Sequence, residues 1–488
     1  MQPAILKNFD KKKVGFFRFA KLGGSYLITN ELGDFHFLNA DDFKKFVTGK
    51  LSSKNPLYKK LRETNFIKDK LDTGYVISRW RRRNQFLWGS PGLHIIVTTL
   101  RCDHKCVYCQ ANSKDPNNKK YDMTLKTAQK TVERIFECPN PNVTIEFQGG
   151  EPLLNFPVVK EVVKNAQKLA KKTLKNVTFT LVTNLTPMTK EKLKFLTDNK
   201  VNICTSLDGP RNIHNLNRVY TKGDSYANVL KWCKNAKKFG KPHHIDGLVT
   251  VTKAALDFPK KIVDEYFNMG MQGLFLRPVT PLGMAKGVWG KIGYAPEKFL
   301  KFYEIALDYI LEINKKSHFT EMTAVVFLTK ILDDIDFNFM DLRSPCGAGI
   351  GQIAYHYDGD VYTCDEARMV SEMGDMSFCI GNVHKDKYGD FINHSVTKCL
   401  VTSSCTDVQT TCSWCVYKPY CGVCPICNYM SENDLYGHMP ENSWCKLHKG
   451  ILDIIFTKLS DPMCYDIFRR WIDKINAGKM NYHQSCFK

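Results

Sequence analysis

The stretch Leu100–Cys109, LRCDHKCVYC, follows an apolar run and carries three cysteines within eight positions. Cys102, Cys106 and Cys109 are separated by three and then by two residues, in what the pattern predicts to be a loop after a buried strand. Three thiolates on one short loop can hold three irons of a cubane iron–sulfur cluster and leave the fourth iron without a protein ligand. A zinc site is the alternative, but it would need a fourth ligand close by, and His104 lies between the cysteines. Three unrelated thiols are the remaining interpretation, and the spacing favours the cluster.

The length and composition are those of a globular protein with several domains. The chain has 488 residues, of which 43% are hydrophobic, so we expect about two to four domains with their own cores. No apolar run approaches the ~18 residues of a membrane span. The segment Met1–Asp10 lacks the apolar stretch of a secretory signal. We therefore expect a cytoplasmic protein without a membrane partner.

The nineteen cysteines are concentrated in the last third of the chain. Thirteen lie from Cys346 onward, and eight of these fall between Cys399 and Cys445. Disulfide frameworks are typical of small secreted domains. Ligation of metal ions or clusters is therefore the better interpretation of this segment.

The formal net charge of +21 admits several partners. The lysines are spread over helical patterns and do not form one run, which is typical of solvated helix faces. An acidic polypeptide partner is the next interpretation, and nucleic acid ranks last.

The N-terminal segment is predicted to be a small α+β module of winged-helix-like type. Strand-like runs at 14–19, 25–30 and 34–38 are separated by glycine-containing turns and followed by two helical patterns. Such modules often bind a peptide as an added strand, and a packing appendage is the alternative. The predicted domains are this module at 1–88, a strand–helix domain at 89–320, a cysteine-dense domain at 321–450 and a helical tail at 451–488.

From Gly92 onward, strand and helix patterns alternate six times. This alternation predicts a parallel sheet with helices outside it, open or curled into a partial (β/α)6 barrel. Ligands of such sheets lie at the carboxyl ends of the strands. The segments that follow the first four strands are the three-cysteine loop, Gly149-Gly150-Glu151-Pro152, Thr183-Asn184 and Ser206-Leu207-Asp208-Gly209-Pro210. The predicted strands are 93–99, 143–148, 177–183, 201–207, 245–252 and 273–279.

These loops, in this order, resemble the radical SAM enzymes. The resemblance implies that the three cysteines bind a [4Fe-4S] cluster and that S-adenosylmethionine chelates its open iron. In that family, reductive cleavage of S-adenosylmethionine gives a 5′-deoxyadenosyl radical that removes a hydrogen atom from the substrate. The cofactor carries this chemistry, and the protein supplies orientation and exclusion of water.

The resemblance also implies a set of residues that contact S-adenosylmethionine. The two glycines would let the backbone approach the methionyl amine closely, with the glutamate carboxylate nearby. The tyrosine before the third cysteine would lie against the adenine. The remaining polar residues would meet ribose or carboxylate oxygens. These implied residues are Gly149, Gly150, Glu151, Tyr108, Ser206, Asp208 and Arg218.

The second cysteine group resembles the SPASM extension of peptide-modifying radical SAM enzymes, which holds two auxiliary [4Fe-4S] clusters. The usual run of four cysteines is spaced by two, five and three residues, whereas here the last interval is two. A zinc ribbon is the alternative. The resemblance implies Cys346, Cys364 and Cys424 on a first auxiliary cluster, with Cys405 as the fourth ligand, or Cys399, Cys427 or an open site in its place. It implies Cys412, Cys415, Cys421 and Cys445 on a second.

Asp365 directly follows Cys364. Its position is similar to that of the aspartate that sulfatase-maturing relatives use as a base. A carboxylate there could accept the proton that is released when a substrate radical is oxidised. A cap on the following turn is the alternative.

A closer resemblance, to the His-Xaa-Ser system radical SAM maturases, is carried by segments such as Arg343–Gly347, Tyr357–Arg368 and Tyr420–Pro425. It implies oxidative modification of a ribosomally made precursor peptide, as a cross-link or a thioether. It also implies a companion maturase and an electron donor such as flavodoxin or ferredoxin. Formylglycine formation, as in sulfatase maturases, is the alternative enzymatic function. A basic RNA-binding or RNA-modifying protein with structural metal comes last.

Overall fold

The N-terminal part of the chain forms a three-stranded antiparallel sheet followed by helices. The computed structural model describes residues 9–69, 71–238, 245–333, 335–336 and 339–477. The first strand begins at Arg18 and not at Val14, which makes only an isolated bridge with Ile67. Phe43 of the first helix stacks on Tyr26 of the sheet, with 4.2 Å between the ring centroids, and so joins helix to sheet. The elements are β1 (Arg18–Leu22), β2 (Ser25–Thr29), β3 (Phe35–Leu38), α1 (Ala40–Val47), α2 (Pro56–Glu63) and α3 (Thr73–Arg83).

The six predicted parallel strands are confirmed, each within one residue of its predicted ends. They lie in one sheet and pair in parallel, and all residues of the strand before the three-cysteine loop are buried. A strand buried on both faces is typical of a parallel sheet that has helices outside it. The strands and their short neighbours are β4 (Leu93–Thr99), β5 (Lys105–Cys106), β6 (Asn142–Gly149), β7 (Asn176–Thr183), β8 (Val201–Ser206), β9 (Arg218–Val219), β10 (Ile245–Val251), β11 (Gly273–Pro278) and β12 (Thr320–Glu321).

The helices of this region follow the strands in alternation. Threonine side chains cap two of them, since Thr124 and Thr189 accept hydrogen bonds from main-chain N–H groups in the first turn. The helices are α4 (Leu125–Glu137), α5 (Phe156–Thr173), α6 (Lys190–Asp198), α7 (Arg211–Asn217), α8 (Ser225–Lys238), α9 (Pro259–Asn268), α10 (Met284–Gly287), α11 (Trp289–Ile292), α12 (Pro296–Ile313) and α13 (Met322–Leu332).

The cysteine-dense region continues the same sheet beyond β4, which the sequence did not predict. The strand that begins at Gln352 pairs in parallel with the strand that begins at Leu93. Two further strands extend the sheet beyond it in antiparallel pairing. The second added strand runs antiparallel to the first, so it ends beside Gln352 and Leu93, and Cys364 follows it there. The elements are β13 (Gln352–Tyr355), β14 (Asp360–Tyr362), β15 (Cys379–Asn382), α14 (Asp365–Ser371), α15 (Tyr388–Asn393), α16 (Ser395–Ser403), α17 (Pro425–Glu432), α18 (Ser443–Leu459) and α19 (Pro462–Asn476).

The N-terminal sheet is bonded to the loop that carries the later cysteines. The Arg18 Nε donates to Ser413 O at 2.7 Å, and the Thr29 hydroxyl donates to Val416 O at 2.7 Å. The Tyr420 hydroxyl donates to the main chain of the N-terminal part at 2.8 Å. Within the described residues, no helix is both long and apolar enough to cross a membrane. The predicted tail after Ala477 lies outside the described residues.

Candidate active site

The three cysteines of the opening stretch line one cavity of about 200 Å³ at the carboxyl ends of the barrel strands. Each sulfur has a polar neighbour of the kind that stabilises a thiolate or a cluster. The Cys102 Sγ accepts from the main-chain N–H of His104 at 3.4 Å, and the Cys109 Sγ lies 3.5 Å from the Ser113 hydroxyl. The Arg218 Nη1 lies 3.9 Å from the Cys106 Sγ. The donor set therefore fits an anionic cluster.

The electrostatics show how these thiols depend on a bound group. Burial raises the pKa of the Cys106 thiol to about 12, against the opposing effect of Arg218. Burial, followed by the neighbouring Cys106, raises the pKa of Cys102 as well. Without a metal, both thiols are therefore neutral at pH 7, and cluster binding must release their protons.

A single metal ion has a competing donor set on the same loop. Among the described residues, one ligand atom each from Cys102, Asp103 and His104 lies within 4.8 Å of the others. However, the His104 ring is engaged on both sides, by the Asp103 carboxylate at 3.0 Å and by the Ser225 hydroxyl at 2.8 Å. The three cysteines therefore remain the better donor set, since a cubane takes ligands that are spread wider than those of one ion.

The two glycines after β6 bring that loop onto the cysteine loop. Gly149 has φ +142°, and a Cβ on it would lie 2.1 Å from Thr99 O. A Cβ on Gly150 would lie 2.3 Å from Arg101 O, so no larger residue fits at either position. Both glycines line the cavity. The structure thus shows one constraint on them directly, which is the close packing of two loops.

Glu151 does not itself line the cavity, and a place for its carboxylate near the methionyl amine stays a prediction. Its Oε1 accepts from Leu153 N at 2.9 Å and from the Thr183 hydroxyl at 2.8 Å, and its Oε2 accepts from Asn184 N at 2.8 Å. The side chain therefore ties the loop after β6 to the loop after β7. Burial raises the pKa of Glu151 from 4.5 to about 7, with the Asp103 carboxylate acting in the same direction.

This raised pKa predicts a pH dependence of stability in the metal-free protein. Between about pH 4.5 and 7 the folded state holds a proton that the unfolded state releases, so stability falls as pH rises. The expected fall is at most roughly 3 kcal/mol across this window. Urea unfolding at both ends of the window should show a smaller fall for Glu151→Gln. The exposed Glu133→Gln is the control and should behave like the parent, whereas an unchanged fall in Glu151→Gln would contradict the assignment.

Asp208 is also buried behind the cavity and does not line it. Its contact with ribose or carboxylate oxygens stays a prediction. Its Oδ2 accepts from the Tyr108 hydroxyl at 2.6 Å, and its Oδ1 lies 3.2 Å from the Arg218 Nε. The Arg218 guanidinium lies over the Tyr108 ring, 5.3 Å from its centroid. The carboxylate thereby orients Tyr108 and Arg218, which both line the cavity. Ser206 lines the cavity as well.

Asp365 reaches the same cavity from the added sheet. Its Oδ1 accepts from the fully buried Arg368 at 2.6 and 3.2 Å. The cap of the following helix is the Cys364 sulfur, which accepts from Ala367 N at 3.4 Å, and not Asp365. Asp365 is therefore a paired carboxylate at the wall of the cavity.

Glu366 is a second carboxylate that the sequence analysis missed. It is 8% exposed, and its Oε2 has no hydrogen-bond partner among the described residues. It lines this cavity and also an adjoining apolar cavity of about 80 Å³ that reaches Cys427. Arg277 lines both cavities as well. An orphaned acceptor at this junction indicates that a bound group completes it.

Four cysteines gather behind this junction. Burial, followed by Cys424, raises the pKa of Cys346, and burial, followed by Glu366 and Cys424, raises that of Cys364. A hydrogen bond to Cys427, with burial, raises the pKa of Cys424. The structure thus brings Cys427 to the three cysteines implied for the first auxiliary cluster.

Cys405, taken first for this fourth position, lies elsewhere. Its Sγ is 3.7 Å from the Asp407 carboxylate, and it lines a separate cavity of about 330 Å³ together with Cys421. The third candidate, Cys399, is exposed. The helix α17 begins directly after Cys424, and its first turn brings Cys427 back to Cys424. Cys405, in contrast, follows the end of α16.

The four cysteines implied for the second auxiliary cluster also lie together. Burial, followed by Cys415 and Cys445, raises the pKa of Cys412 to about 12. Burial, followed by Cys415, Cys412 and Cys445, raises that of Cys421. All four are partly exposed, whereas Cys346, Cys364 and Cys424 are buried. The second group therefore lies closer to the surface than the first.

The comparison with known protein families agrees with this geometry. Residues 96–257 match the model of the radical SAM superfamily. The chain therefore contains a radical SAM domain. The domain implies a [4Fe-4S] cluster and S-adenosylmethionine, and the three cysteines of its first loop fit that cluster.

Similar proteins extend the likeness beyond this domain. A cysteine-type anaerobic sulfatase-maturating enzyme of Clostridium perfringens is 26% identical over 387 residues, which span 76% of this chain and 98% of that enzyme. The structure of native anSMEcpe with bound AdoMet and the Kp18Cys peptide has a TM-score of 0.64 at 22% identity, covering 76% of this chain and 99% of the other. Streptococcus suis SuiB bound to precursor peptide SuiA has a TM-score of 0.53 at 16% identity, covering 89% and 99%. The chain thus shares its fold with anSMEcpe and SuiB, and the likeness to His-Xaa-Ser system maturases stays a prediction.

Proposed function

We propose that this radical SAM enzyme carries three [4Fe-4S] clusters and oxidatively modifies a ribosomally made peptide, forming a cross-link or a thioether. The observation that carries the proposal is the pair of adjoining cavities. One contains the three cysteines of the radical SAM loop, the other reaches Cys427, and Glu366 and Arg277 line both. A substrate side chain at this junction lies between a radical source and an electron acceptor.

When bound, S-adenosylmethionine and the cluster held by Cys102, Cys106 and Cys109 would supply hydrogen-atom abstraction, and an auxiliary cluster would supply one-electron oxidation. The chain must then take up one proton. Asp365 and Glu366 are the carboxylates at the cavity wall, and Arg368 holds Asp365 in place by two hydrogen bonds. We assign the proton acceptor to Asp365, with Glu366 as the neighbouring acceptor of a substrate hydrogen bond.

The cavity proposed for the substrate is lined by both apolar and charged side chains. The apolar cavity is lined by aromatic and aliphatic side chains, and its two charged groups at the junction are Arg277 and Glu366. A peptide main chain offers both an N–H donor and a carbonyl acceptor. A peptide with an apolar side chain next to the modified residue therefore fits these cavities.

A sulfatase-maturase-like oxidation of Cys or Ser to formylglycine is the second candidate function. The likeness to the Clostridium perfringens enzyme supports it, because it spans nearly the whole of that enzyme. The N-terminal sheet supports peptide maturation instead, since it is a separate small sheet bonded to the cysteine loop. In the proposal, residues 1–88 recognise the precursor peptide.

Co-expression with peptides encoded beside the gene tests the choice between the two. We expect the modified peptide to lose two hydrogens for each bond formed, because one C–H and one further hydrogen are removed. Formylglycine formation on cysteine would also remove two hydrogens, but it would in addition replace the sulfur by oxygen. Mass spectrometry with fragmentation locates the change, and Asp365→Asn should lower product formation at least about tenfold. A formylglycine product from a sulfatase-derived cysteine peptide, with no change in the encoded peptides, would overturn the first candidate.

A further inference from the structure

The second cysteine group carries an exposed tryptophan. Trp414 lies between Cys412 and Cys415 in a short 3₁₀ turn, and its side chain is 78% exposed. Tryptophan is rarely left in water to this extent and is enriched at the centre of protein–protein contacts. Its main-chain neighbours are fixed, since Ser413 O and Val416 O accept hydrogen bonds from the N-terminal sheet. The ring is thus displayed on a tethered loop.

Positive charge surrounds the same group. Lys446 and Lys449 follow Cys445 on α18 and are both exposed. They lower the pKa of Cys445 against the larger effect of burial, which places them beside it. Of the nearby carboxylates, Asp407 pairs with Lys418, and Asp453 accepts from the Tyr417 hydroxyl and lies near Lys449, so the two lysines outnumber the one carboxylate that faces them. The rim of this surface is therefore cationic.

We propose that Trp414, Lys446 and Lys449, here called the Trp414 surface, dock a small acidic one-electron carrier protein of the flavodoxin or ferredoxin class. The inference rests on the proposed function, in which Cys412, Cys415, Cys421 and Cys445 hold a cluster. Each turnover removes one electron and one proton from the substrate radical. The electron leaves through this cluster to the oxidised carrier, which is reduced by one electron, and the proton passes to solvent.

The kind of contact matches what electron transfer needs. Such complexes are small and short-lived, so one aromatic anchor with a charged rim is sufficient. Opposite charges steer the carrier to the surface and raise the rate of encounter. A partner bound over Trp414 lies on the loop that carries two of the four ligands, and this keeps the electron path short.

Binding of oxidised flavodoxin tests the inference without relying on turnover. The docking variant is Trp414→Ala with Lys446→Glu and Lys449→Glu. The control variant is Leu174→Ala with Lys171→Glu and Lys172→Glu, which removes another exposed apolar side chain and makes the same change in net charge. Calorimetric titration of the reconstituted proteins at ~0.02 M and ~0.2 M salt measures the Kd and its salt dependence. We expect at least about a tenfold higher Kd for the docking variant alone.

The other outcomes overturn the inference in identifiable ways. Equal weakening in both variants would mean that only net charge matters, and no weakening in either would place the carrier elsewhere. If sedimentation shows a dimer that the Trp414→Ala change dissociates, the occupant is a second copy. The double variant Lys446→Glu/Lys449→Glu keeps the test valid if the triple variant misfolds. Iron content separates the two proposals: a parent protein with only about eight irons per chain contradicts three clusters, whatever the binding result.

Discussion

Alanine at Cys102, Cys106 and Cys109 together should abolish the formation of 5′-deoxyadenosine. The three sulfurs line the cavity that also contains Gly149, Gly150, Ser206 and Arg218, and alanine at all three positions removes every thiolate of that loop. We expect a loss of at least about a thousandfold, equivalent to about 4 kcal/mol of transition-state stabilisation. Chromatography of reaction mixtures with dithionite and S-adenosylmethionine measures it.

Iron content gives this variant its internal control. The variant should lose about four of about twelve irons per chain, because the two auxiliary groups keep their own cysteines. Cys399→Ala, at an exposed cysteine outside both groups, should lose neither iron nor activity. Retained 5′-deoxyadenosine in the triple variant would refute the assignment of the radical SAM loop.

Cys427→Ala should remove the first auxiliary cluster while Cys405→Ala leaves it intact. Cys427 hydrogen-bonds with Cys424 beside Cys346 and Cys364, whereas Cys405 faces another cavity. We therefore expect Cys427→Ala to lose about four irons per chain and to lower peptide modification at least about a hundredfold. Its cleavage of S-adenosylmethionine should persist, because the radical SAM loop is unchanged.

The pair of variants is matched in chemistry and differs only in position. Electron paramagnetic resonance of the reduced proteins should show one cluster signal missing in Cys427→Ala and all signals present in Cys405→Ala. The opposite pattern would mean that metal binding rearranges the segment after α16 and that the order of ligands in the sequence is the better guide. Loss of signal in neither variant would indicate a first auxiliary cluster with an open site.

The Glu151 and Asp208 carboxylates show why local motifs predict position better than role. Both lie in loops at the predicted edge of the sheet, yet neither faces the cavity. Glu151 is held by Thr183 and Asn184 of the next loop, and Asp208 by Tyr108 and Arg218. A motif predicts which residue lies near a ligand. The groups that hold its side chain away from the cavity come from other loops.

Residues that no motif marks became visible only through packing. Glu366 stands out because one buried oxygen has no partner, and Arg277 because it lines two cavities. The sequence around Glu366 and Arg277 has no periodicity or spacing that marks either residue as part of a site.

Spacing along the chain was sufficient for the three-cysteine loop and the six parallel strands. These features depend on near neighbours: ligands within eight positions, alternating apolar runs and the turns between them. The tertiary structure decided that β13 extends the barrel sheet from β4 and brings Asp365 and Glu366 to the cavity. It also placed Cys427 rather than Cys405 at the first auxiliary group. Both depend on contacts between residues far apart in sequence, whose side chains are oriented by burial and hydrogen bonding in the folded chain.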